Sequence, residues 1–66
     1  MKAITGDVDV NHYYVATQNL KLDETEILIY RKDGTEMGYI RHNRVIGKST
    51  IMQLAKNYVI VITALE

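Results

Sequence analysis

From Glu26 to Arg41 the chain reads as two runs of β-branched and aromatic residues separated by a turn. Glu26-Ile27-Leu28-Ile29-Tyr30-Arg31 leads into Lys32-Asp33-Gly34-Thr35, and Glu36-Met37-Gly38-Tyr39-Ile40-Arg41 follows. Asp-Gly supplies the positive backbone φ that a tight connection needs, so the spacing predicts an antiparallel hairpin. Upstream, from about Ala3 to Thr17, Val8, Val10 and Tyr14 are interleaved with polar residues at strand-like spacing, and Gly6 marks a bulge or bend. Downstream the period changes. Thr50 with Gln53 three residues on fits a capping box, Ile51, Leu54 and Ala55 share one helical face, and Asn57 is a stop signal, which predicts a short helix near 51–57. Tyr58 to Ala64 is expected to close the chain as a strand.

Residues 27–30 and 59–62 are apolar at successive positions, where a half-exposed strand would alternate. Each must therefore be covered on both faces. A 66-residue chain has little material for a second layer, so the cover is either the one helix or a second copy of the protein. The expected fold is mainly β: a β-rich α+β domain spanning 1–66, built as a small, bent antiparallel barrel of four to five strands with one helix. A homodimer is one way to complete it.

Composition narrows the function classes. Apolar residues make up 47% of the chain, which predicts a packed globule. There is no cysteine, so disulfides, zinc ribbons and thiol chemistry drop out. The longest apolar run, Tyr58 to Ile62, is far too short to span a bilayer, and an acid at Asp7 comes too early for a secretory signal, so a cytoplasmic chain is expected. The formal charge is zero but unevenly spread. Residues 1–30 carry two cations and five acids, a balance of −3, and residues 31–66 carry six cations and three acids, a balance of +3. Zero overall charge argues against a strongly basic nucleic-acid coat.

The ingredients of catalysis are sparse. His12 and His42 are the only histidines, without metal-ligand spacing, and Ser49 has no nucleophile-elbow sequence around it. Asp7 and Asp9, two positions apart, are too few for a calcium site. Gly47-Lys48-Ser49-Thr50 resembles the end of a phosphate-binding loop, but the position five before Gly47 is His42 rather than glycine. Those residues serve either as the turn and cap of a helix or, with Lys48, as a single-phosphate site. No enzyme activity, cofactor or metal is expected.

All five aromatics are tyrosines, at 13, 14, 30, 39 and 58. Tyrosine rings that keep a polar edge in water suit binding surfaces. Tyr13 and Tyr14 are strand neighbours and must point to opposite faces, so only one of them can serve a given site. Tyr30 and Tyr58 lie in apolar runs and read as core or near-core. Beside Arg31, Arg41, Arg44 and Lys48, such rings would stack bases along a basic track.

Asp23-Glu24-Thr25-Glu26-Ile27-Leu28-Ile29, then Asp33-Gly34-Thr35-Glu36-Met37-Gly38-Tyr39-Ile40, then a helix carrying Leu54-Ala55, resembles the HIRAN domain over roughly residues 14–62. The resemblance implies a small β-barrel that engages the 3′ end of single-stranded DNA, with Asp23 at the terminal hydroxyl and His12-Tyr13-Tyr14 in stacking and phosphate contact. The chain departs from the family pattern at Leu20, where asparagine is usual, and at Leu22, where an aromatic is common. Gly38-Tyr39-Ile40 is also similar to the closing segment of Src-homology-type barrels, which bind peptides.

The leading expectation is a non-enzymatic module that binds single-stranded DNA or RNA through His12, Tyr13, Tyr14, Asp23, Tyr39, Arg41, Arg44 and Lys48. The alternative is a protein-interaction module, such as a phage or mobile-element product that blocks a host protein, acting through a strand edge or a dimer.

Overall fold

The structure is a computed structural model that describes residues 2–66. Four strands, β1 (Lys2–Asp7), β2 (His12–Asn19), β3 (Glu24–Arg31) and β4 (Glu36–His42), precede one helix, α1 (Lys48–Leu65). The strands pair in chain order as an antiparallel meander, with Tyr13 opposite Tyr30, Val15 opposite Leu28 and Ile27 opposite Ile40. The sheet is open: β1 and β4 each pair on one side only, and the barrel anticipated from the sequence is not closed.

The predicted hairpin is present as β3 and β4. Gly34 takes φ 93°, and the Arg31 N–H donates to the Thr35 carbonyl at 2.8 Å across the turn. The single upstream strand expected over Ala3 to Thr17 is instead two strands, reversed through residues 8–11. The Asp9 carboxylate holds that turn by accepting from the Asn11 N–H at 2.8 Å and from His12 Nδ1 at 2.9 Å. A register shift at Ile29/Tyr30 bulges β4 around Met37.

The C-terminal half of the chain corrects the sequence reading. Residues 58–64 are helix, not strand, and α1 covers 18 residues where seven were expected. The capping box does not form, because Gly47 occupies the N-cap position and no side chain caps the helix. Nor does Asn57 stop it. Ile51, Ala55 and Val59 recur at four-residue spacing and are all buried against the sheet. Once a helix has been nucleated at Lys48, each added residue gains a backbone hydrogen bond at no further nucleation cost. Helix propensities disfavour Val and Ile by under ~0.7 kcal/mol each, whereas burying one valine contributes ~1.5–3 kcal/mol. Packing wins.

The core lies between α1 and one face of the sheet: Tyr14 and Ala16 from β2, Ile27 and Ile29 from β3, and the three helix residues above. Two glycines allow close approach. A Cβ at Gly6 would stand 2.7 Å from the Tyr14 hydroxyl, and one at Gly38 would collide with the Tyr58 ring. At one end, Thr25 Oγ1 donates to the Arg44 carbonyl at 2.8 Å and Gln18 Nε2 donates to the Ile46 carbonyl at 2.6 Å. These two bonds tie the β4–α1 connection to the sheet.

Candidate functional site

Directly opposed residues in an antiparallel sheet share a face, so the pairing register sorts every strand residue. On β2 the positions from His12 to Gln18 that carry even numbers are buried under α1, and on β3 those from Thr25 to Ile29 that carry odd numbers are buried there. The intervening residues look away from the helix. They form one face on which, among the described residues, no other element packs.

Its centre is apolar and aromatic. Tyr13 and Tyr30 lie side by side across β2 and β3, their ring centroids 5.2 Å apart and their planes 18° from parallel, a stacked pair. The next rung carries Val15, Leu28 and Tyr39, of which Tyr39 is about half exposed, at 49%. Lys32 reaches back over the Tyr13 ring, with Nζ 6.0 Å from the centroid and 2.8 Å from Asp7 Oδ1. Further along, Arg41 pairs with Glu24, and Glu26 stands opposite Arg41. These two carboxylates stabilise the guanidinium and push its pKa further up.

The charge on this face runs against the sequence expectation. Among the described residues, Asp7, Glu24, Glu26 and Glu36 place four carboxylates on or around it, while Lys32 and Arg41 are its two cations. Each cation is engaged by a carboxylate of the same chain. Such exposed pairs add little to stability, but they do lower the positive potential that a phosphate backbone would meet.

The eight anticipated site residues separate into three places. Tyr13, Tyr39 and Arg41 share the uncovered face. His12 and Tyr14 are buried on the helix side, His12 at 7% exposure with its Nδ1 on Asp9, and Tyr14 fully enclosed. Burial raises the Tyr14 phenol pKa, and its hydroxyl has no hydrogen-bond partner among the described residues. Asp23, Arg44 and Lys48 gather near the β2–β3 turn and the start of α1. Asp23 is held at φ 52°, and its Oδ1 accepts the Val45 N–H at 2.8 Å, so that oxygen is taken up in bracing the connection. Gly47 to Thr50 forms the first turn of α1, with the Ile51 N–H donating to the Gly47 carbonyl at 3.0 Å.

Sequence reasoning passed over Val15 and Leu28 and left Tyr30 as core. The signal was present: in a run apolar at every position, period two sends Leu28 and Tyr30 opposite to Ile27 and Ile29. The sequence groups Asp7 with Asp9 on one strand face, a pair too few for a calcium site. The two carboxylates instead serve different neighbours, and hydrogen bonding to His12 is the main cause lowering the Asp9 pKa below 3.8.

Among the described residues, no group of three or more His, Cys, Asp or Glu side chains is placed to hold a metal ion, and no helix is long and apolar enough to cross a membrane. No family model, curated protein or solved structure matches this chain.

Proposed function

We propose that this chain is a non-enzymatic interaction module whose uncovered sheet face docks against another polypeptide. One observation carries the reading: Tyr13, Val15, Leu28, Tyr30 and Tyr39 form a continuous aromatic and aliphatic centre inside a charged rim with more carboxylates than cations. Protein interfaces share that anatomy, an apolar core rich in tyrosine within a polar margin. Single-stranded nucleic acid needs the stacking rings and the free cations on one surface, whereas Arg44 and Lys48 lie at the β4–α1 end.

The stacked Tyr13–Tyr30 pair supports single-stranded nucleic-acid binding as a second reading, since such a platform accepts a base on its outer ring. Titrating a fluorescein-labelled oligothymidylate of about 20 nucleotides separates the two. Three phosphate contacts from Arg41, Arg44 and Lys48 would weaken binding by about twentyfold between ~50 and ~200 mM salt. The joint variant Arg41→Glu with Arg44→Glu would then abolish it. The protein reading expects no such binding. It expects stoichiometric, salt-insensitive recovery of one polypeptide by the wild type and its loss with Leu28→Glu.

A further inference from the structure

We infer that the polypeptide received by the uncovered face is a second copy of this chain, packed sheet on sheet into a symmetric dimer with the two helices outermost. The inference rests on the interaction-module reading above and assigns its partner. Three spacings of ~4.8 Å between four strands, with outer side chains, make the face ~19 Å wide, and eight residues at ~3.3 Å make it ~26 Å long. One copy thus offers ~500 Å² and two copies bury ~1,000 Å², the lower bound for a specific interface and a size suited to reversible association. A second layer also supplies the cover that Leu28 and Tyr30 lack on this side.

A two-fold interface must be self-complementary, because the same patch serves both partners. The register provides for this in one orientation. The apolar residues occupy two adjacent rungs toward one end of the face, Tyr13 with Tyr30 and Val15 with Leu28. A two-fold axis parallel to the strands, between β2 and β3, keeps each rung level and exchanges the two strands. Tyr13 then meets the second copy's Tyr30, and Val15 meets its Leu28. An axis across the strands at the Val15–Leu28 rung would instead set the tyrosine rung against the Glu26 and Arg41 rung. The parallel axis also lays β4 over β1 of the other copy and sets Glu36 against its Asp7, with Lys32, 2.8 Å from Asp7, as the cation between the two carboxylates. Sheets packed face to face lie ~10 Å apart with strands ~30° askew, within reach of these side chains.

Sedimentation equilibrium of the full chain from about 5 to 500 µM tests the inference. The mass should rise from 7.6 kDa toward twice that value. Leu28→Glu and Tyr39→Glu should each hold it at the monomer value while retaining wild-type circular dichroism, and Tyr39→Glu, on an edge strand, carries the test if Leu28→Glu does not fold. Val61→Glu, on the exposed side of α1, should leave dimerisation unchanged. Isotope-filtered NOEs in a mixed-label sample should connect Val15 and Leu28 methyls of different copies. A monomer throughout the range, a dimer insensitive to both face variants, or contacts between copies confined to α1 would overturn the inference. A monomeric wild type that still captures one polypeptide through Leu28 would leave the interaction module standing with a different partner. A monomer that captures nothing through Leu28 would remove both.

Discussion

Ile27 and Leu28 are sequence neighbours of similar size on opposite faces of β3, and truncating each in turn measures which face the helix covers. Ile27 is fully buried beneath α1. Ile27→Ala removes three methyl-sized groups at ~0.8 kcal/mol each, ~2.4 kcal/mol of lost transfer energy. A residual cavity of ~50 Å³ at ~24 cal/mol per Å³ adds ~1.2 kcal/mol, for a total near 3.6 kcal/mol. Leu28 loses the same number of atoms, but it is half-buried and opens to water, so about half the transfer term, ~1.2 kcal/mol, and no cavity term apply. A 66-residue domain has ~3–10 kcal/mol of total stability, so Ile27→Ala should approach the limit of folding where Leu28→Ala does not. Urea unfolding followed by far-ultraviolet circular dichroism at low micromolar protein, where association is negligible, gives both values. Ile27→Val, at ~0.5–1.5 kcal/mol, keeps the comparison measurable if the alanine variant is unfolded. A Leu28→Ala cost equal to or above that of Ile27→Ala in the monomer would refute the placement of the helix.

Two further outcomes follow from the polar contacts. Thr25→Val leaves the Arg44 carbonyl without its donor and should cost ~1–3 kcal/mol, with faster amide exchange over residues 43–47; an unfolding free energy within ~0.5 kcal/mol of wild type would contradict this. Asp9 has its folded pKa lowered by His12, so its ionised form stabilises the fold above the ordinary value of 3.8 and that contribution fades as pH falls through the lower folded value. The stability gap between wild type and Asp9→Asn should accordingly be flat near neutral pH and shrink below pH 3.8. A gap that widens with acidification would show that the sign is wrong.

The β3–β4 hairpin was legible because two local signals agree: the Asp33-Gly34 turn and the β-branched runs beside it. Opposite orientations for Tyr13 and Tyr14 likewise followed from strand period alone. The candidate site was legible only in part. Tyrosines mark a surface, but whether Arg44 and Lys48 stand beside them depends on where the β4–α1 connection runs, and Asp23, Thr25 and Gln18 fasten it at the far end. Pairing across strands also brings Glu24, Glu26 and Arg41 together, which no window along the chain displays.

The sequence by itself determined that this is a small, mainly β domain with a hairpin over 26–41 and with more apolar surface than one strand face can hide. The tertiary structure decided the fate of Val59-Ile60-Val61-Ile62. Their side chains favour a strand in isolation, yet no glycine or proline follows Gly47 to turn the chain out of the helix. As a helix, Val59 extends the Ile51 and Ala55 stripe over Tyr14, Ile27 and Ile29, while Ile60 and Val61 stay exposed. The physical reason is that β-branched preferences amount to tenths of a kilocalorie per residue, whereas covering a sheet contributes several, and only the assembled sheet presents that surface.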